Sequence, residues 1–253
     1  MDSVNFKKTY YLGEIYQDVK YRSQIILGKY LEYPDLYEFD DLEKCIRFKS
    51  ERLIPLKYTN RPRVMLLFSN PHPHSVHQGM ILSPNTRGRE NLFWEIMKEA
   101  GWINFNQGNR EPQELASHFL RADYQGPFDL LFYAYYSFPT RYPKQIEELF
   151  GGDYFRKCIE PDALHEFIQT LENTQARAVV TVNKGIYNLV SKDAINLYIN
   201  RLISNEVIKS HIKGVEREIP IFLTFPTGWR YHTHYKSLRV ENLQEIKRMI
   251  SLG

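Results

Sequence analysis

Ser69-Asn70-Pro71-His72 follows directly on the apolar run Val64 to Phe68. Asn and His are residue types that can hold a water or move a proton. An Asn carbonyl orients water by accepting its hydrogen, and a neutral imidazole offers one donor and one acceptor. The apolar run reads as a buried strand, and ligands of α/β proteins gather outside the carboxyl ends of strands. The same loop spaces His72, His74 and His77 as H-x-H-x-x-H, which offers imidazoles to zinc or manganese but no carboxylate nearby. Asp123 and Asp129 are the acidic groups that other segments would have to bring in.

Three further runs repeat this arrangement of buried strand and polar end. Residues 129–136 stop at Ser137-Phe138-Pro139-Thr140, and 178–182 stop at Asn183-Lys184-Gly185. Residues 220–225 stop at Pro226-Thr227-Gly228-Trp229-Arg230. Helical periodicity separates the runs. Leu92, Phe93, Ile96, Met97 and Ala100 share one face, and Leu164, Phe167, Ile168 and Leu171 share another. Strands alternating with helices predict parallel pairing through long crossovers. The expected fold is an α/β three-layer sandwich, a mostly parallel four- or five-stranded sheet with helices on both faces. That domain spans 61–253. Residues 1–60 read as a helical extension packed on it, with Tyr10, Tyr11, Ile15, Tyr16 and Val19 at helical spacing. Asp40-Asp41 is expected to start a second helix that buries Leu42, Cys45, Ile46 and Phe48.

Hydrophobic content of 43% and charged content of 25% suit a soluble globular chain. No apolar stretch approaches the roughly twenty residues of a membrane span, so no membrane partner is expected. Two cysteines are too few for a disulfide framework, and Met1-Asp2-Ser3-Val4 begins no signal peptide. An intracellular location, cytoplasmic (at the nucleoid) or nuclear, is the expectation. A net charge of +3 does not announce a nucleic-acid binder, so any such surface must be local. Eighteen Tyr, fifteen Phe and three Trp supply flat rings that either fill a core or stack on bases.

Taken in order, the strand-end loops resemble the uracil-DNA glycosylase superfamily, closest to its mismatch-specific uracil/thymine branch. The residues that carry the resemblance are Phe68-Ser69-Asn70-Pro71, Gly79, Asn91-Leu92-Phe93-Trp94, Ala100-Gly101, Asn183-Lys184 and Pro226-Thr227-Gly228-Trp229. They span roughly residues 62–250. The resemblance implies a DNA repair glycosylase that flips a uracil-like or deaminated base and hydrolyses its N-glycosidic bond without cofactor or metal. Its partner would be DNA bearing a damaged or mismatched base. Asn70 would position the water, with His72 beside it. Pro71, Gly79, Leu82, Asn183 and Lys184 would meet the substrate. Thr227 and Gly228 would clamp phosphates, Trp229 would fill the vacated stack, and Arg230 and His232 would add positive charge. The sequence departs from the pattern where Phe68-Ser69 replaces a glycine and Leu82 stands near an aromatic position. Phe225 replaces a polar residue before the Pro-Thr-Gly loop. Two rival readings follow: a non-catalytic nucleic-acid or nucleotide binder of the same fold, and a metal-dependent hydrolase built on the His loop.

Overall fold

The computed structural model describes residues 5–83, 91–105, 111–226 and 232–252. Its first surprise is the N-terminal segment. Strand β1 (Asn5–Tyr11) leads to helix α1 (Tyr16–Ile26), and strands β2 (Tyr37–Asp40) and β3 (Cys45–Glu51) follow. The three strands form an antiparallel sheet in the order β1-β3-β2. The expectation of a largely helical extension is therefore corrected, with α1 its helical part. The reason is visible in Cys45-Ile-Arg-Phe-Lys-Ser-Glu51, where apolar and polar residues alternate with a period of two. Ile46 and Phe48 are buried in the core, while Arg47 and Lys49 stay partly exposed. Asp40 starts no helix. Its carboxylate accepts the Leu42 and Glu43 N–H groups at 3.0 and 2.9 Å, turning β2 into β3. Leu42, expected inside, is 96% exposed at the tip of that turn.

The central sheet contains β4 (Arg63–Phe68), β5 (Asp129–Ala134), β6 (Ala178–Thr181), β7 (Ile208–His211) and β8 (Pro220–Leu223). Their order is β5-β4-β6-β8-β7, parallel except for β7, which runs antiparallel to β8. Edge strand β7 escaped the sequence reading because Ile208-Lys-Ser-His211 carries only one apolar residue. Helices α2 (Pro73–Gln78), α3 (Leu92–Glu99) and α4 (Pro112–Leu120) fill the first crossover. In the second, α5 (Lys144–Phe150) precedes α6 (Gly152–Tyr154), whose helix continues through a π turn into α7 (Glu160–Thr174). Helices α8 (Lys184–Val190) and α9 (Ile199–Ile203) follow β6, and α10 (His232–Leu252) closes the chain.

Side chains of β4 alternate between two cores. Met65 and Leu67 join one cluster with Phe167, Ile186 and residues of the N-terminal sheet such as Ile46 and Phe48. Val64, Leu66 and Phe68 join the other, with Phe93, Trp94 and Ile246. Burial on both faces explains why the strands read as continuous apolar runs. Among the described residues no helix is long and apolar enough to cross a membrane.

The chain passes from β4 outward to β5, then returns across β4 to reach β6. The strand order thus reverses between β4 and β6, and in open α/β sheets the crevice at that point is where ligands bind. Asn70 follows β4 and Asn183 follows β6, so both stand at this crevice.

Candidate functional site

Asn70 is held by the neighbouring loop. Backbone pairing between β4 and β5 continues past the strands, with Tyr135 N–H to Phe68 O at 2.9 Å and Tyr136 N–H to Ser69 O at 2.8 Å. Thr140 N–H then bonds Pro71 O at 3.1 Å. Across this joint the Asn70 Nδ2 group donates to Thr140 O at 2.7 Å, Thr140 Oγ1 at 3.0 Å and its neighbour Pro71 O at 3.0 Å. Those acceptors fix which end of the amide is nitrogen. Its Oδ1 accepts from the Ser69 hydroxyl at 3.2 Å, and a carbonyl oxygen has two lone pairs. Among the described residues, the second lone pair has no partner.

The same contacts explain why an amide stands here. An Asp at position 70 would set carboxylate oxygen against the Thr140 carbonyl and hydroxyl oxygens, and lose all three donated bonds. Tyr37 supports the joint from the N-terminal sheet by donating its hydroxyl to Pro139 O at 2.6 Å. Sequence reading placed Thr140 in a strand-end loop, but nothing in the sequence revealed its bond to Asn70.

His72 caps α2: its Nδ1 accepts the His74 N–H at 3.2 Å. The ring proton therefore sits on Nε2. Burial, then the charges of His74, Arg141 and Lys29, lower its pKa to about 4. His72 is neutral near pH 7, a donor through Nε2–H and not a cation. Gly79 ends α2 in the left-handed conformation, at φ 73°, where a side chain would be strained.

Leu82 is also left-handed, with φ 54°, a conformation that costs a leucine roughly 1–2 kcal/mol. Its carbonyl accepts the Trp94 indole N–H at 3.0 Å, and its side chain packs on the cluster holding Phe68 and Phe93. Phe93 and Trp94 are buried helix-packing residues. Asn183 caps α8 by accepting the Ile186 N–H at 3.0 Å, and Lys184 donates to Asn196 O at 3.3 Å. Contacts within the chain thus engage the Asn183 carbonyl and the Lys184 ammonium.

No protein-family model matches the chain, and no curated protein is significantly similar to it.

The remaining predicted positions divide cleanly. Thr227, Gly228, Trp229 and Arg230 lie outside the described residues, and of His232 only its backbone place at the start of α10 is described. Among the described residues, His72, His74 and His77 do not converge as a three-ligand metal set. Asp129 cannot join them. It starts β5, at the opposite end of the sheet, where Thr59 and Arg61 hold it. Asp123 lies instead beside His118, with 3.5 Å between carboxylate and ring nitrogen. One described group does gather potential ligands, Asp40, Glu43 and Cys45 on the β2–β3 turn. Arg47 already bonds both of its carboxylates at 2.8 Å.

The imidazoles meet aromatic rings of residues 28–33. Tyr33 stacks on His77 with ring centres 4.4 Å apart and planes 8° from parallel, and Tyr30 meets His72 edge-on at 5.7 Å. Sequence reading assigned no role to these tyrosines.

Proposed function

We propose that the chain is a metal-independent, monofunctional DNA glycosylase of the uracil-DNA glycosylase type. The observation that carries this reading is the half-satisfied Asn70 amide at the strand-order reversal. Its nitrogen is anchored to Thr140, and its carbonyl keeps a lone pair for water. Hydrolysis of an N-glycosidic bond passes through an oxocarbenium-like sugar, so the water needs orientation more than strong deprotonation. Water bonded to Oδ1 attacks the sugar's anomeric carbon as the bond to the base breaks. The bonding pair leaves with the base, and a water proton is released. His72 Nε2–H is suited to a sugar or phosphate oxygen.

Two buried rings favour the non-catalytic reading as the alternative. Phe225 is 1% exposed and Phe68 is 9% exposed, so neither offers a donor to a departing base anion. Oligonucleotides carrying uracil, hypoxanthine, xanthine or a G·T mismatch, incubated in chelator and then treated with alkali, separate the readings. Strand cleavage at the modified base is the expected result. Binding without cleavage would replace the enzyme with a recognition module, and cleavage only after metal addition would overturn the metal-independent mechanism.

A further inference from the structure

We infer that Tyr30, Tyr33, His72 and His77 form a stacking ledge for single-stranded DNA beside the site. The inference deepens the glycosylase reading and rests on it. The ledge begins two residues past Asn70, where the 3-10 turn Gly28–Glu32 of the N-terminal segment lies against α2. Tyr33 and His77 form a parallel pair, and His77 is exposed, so its ring ends the stack at solvent. A base laid on that ring would extend an existing column.

Positive charge flanks the rings. Lys29 Nζ lies 5.5 Å from the Tyr30 ring centre, and the charges of both Lys29 and Arg141 reach His72. Lys29 and Arg141 are exposed. Glu32 is an exposed carboxylate of the same turn, and Asp35 nearby is paired with Lys49 at 3.4 Å. His77 is the exposed ring, backed by the partly buried Tyr33, Tyr30 and His72, and an exposed ring flanked by cations fits the pattern that tracks a single strand, whose unpaired bases offer their faces. A duplex offers only base edges and phosphates there.

The test is fluorescence anisotropy with a labelled, undamaged oligothymidylate and with a blunt duplex of equal length. Wild type should bind the single strand more tightly. His77→Ala should weaken that binding roughly tenfold and change duplex affinity little. Tyr33→Ala should match it, whereas Tyr33→Phe, which keeps the ring, should bind like wild type. Replacing Lys29 by Ala should flatten the salt dependence by about one phosphate contact. His77 is exposed and its variant should melt like wild type, so unchanged single-strand affinity in His77→Ala overturns the ledge. So does a wild-type preference for duplex. Undamaged DNA keeps the two ideas separable: cleavage of uracil DNA with unchanged His77→Ala binding breaks only the ledge. Absent cleavage with His77-dependent binding breaks only the glycosylase reading.

Discussion

The two ends of the central sheet treat a polar side chain in opposite ways. At the amino end of β5, the Asp129 carboxylate is fully buried, and every contact around it closes on itself. Thr59 gives it an N–H at 2.6 Å and a hydroxyl at 2.8 Å, and Arg61 Nε donates at 2.8 Å. Arg61 spends its other donors on the carbonyls of Tyr124 and Ala122, at 2.7 and 2.8 Å. At the carboxyl end of β4, Asn70 is anchored to the neighbouring loop through its nitrogen, while its oxygen accepts only the Ser69 hydroxyl among the described residues. A saturated group can only stabilise. A half-saturated group held rigidly can also act, because its free lone pair is aimed before any ligand arrives.

The largest effect should come from breaking the saturated end. Asp129→Asn puts an amide N–H against donors that need an acceptor and strips Arg61 of its counter-charge. Loss of one partner of a buried pair costs about 3–5 kcal/mol, or about 10 °C in Tm for a chain of this size. Thermal denaturation by circular dichroism checks it. Catalytic rate per folded molecule should not change, and a rate loss at permissive temperature would show that the ends are coupled.

Asn70→Ala should do the reverse. Single-turnover cleavage is expected to fall about 10²–10³-fold, the size seen when one fixed polar group is removed from a reacting centre. DNA affinity should persist, and Tm should move by less than in the Asp129 variant. A variant that cleaves at the wild-type rate would remove Asn70 as the water site. Asn70→Asp sharpens the point: although a stronger base, it should lose stability by roughly 1–3 kcal/mol from facing the Thr140 oxygens.

How far the sequence exposed this contrast depended on the range of the interactions. The strands of the central sheet were legible because burial on both faces makes runs such as Val64 to Phe68 apolar throughout. The caps that Asn91 and Asn183 form are local events, in which a side chain reaches the start of its own helix. The N-terminal sheet was misread. Tyr10 and Ile46 meet across a strand pair, and their short elements fit helical spacing as well as alternation. Long-range polar contacts left no trace. Asn70 and Thr140 are 70 residues apart, and Arg52 and Glu166, which with Lys8 tie the N-terminal sheet to α7, are 114 apart.

His72 belongs to both kinds of region, since it caps α2 through Nδ1 and keeps Nε2–H as its other hydrogen-bonding group. Its pH behaviour therefore gives the finest test. Burial lowers its pKa from 6.5 to about 4, with the charges of His74, Arg141 and Lys29 adding to the effect. In the unfolded chain this imidazole takes its proton near pH 6.5, whereas the folded chain resists protonation until near pH 4. Its contribution to stability is thus complete above about pH 6.5 and is lost as pH falls toward 4. The change should be of order 1–3 kcal/mol, the smallest of the three. His72→Asn retains an oxygen that can cap the helix and removes the titrating group. Denaturant melts from about pH 7.5 down to pH 4 should show wild type losing stability faster than the variant. Parallel curves would mean that His72 is not held neutral by the fold, and its assignment as a neutral donor beside Asn70 would fall with them.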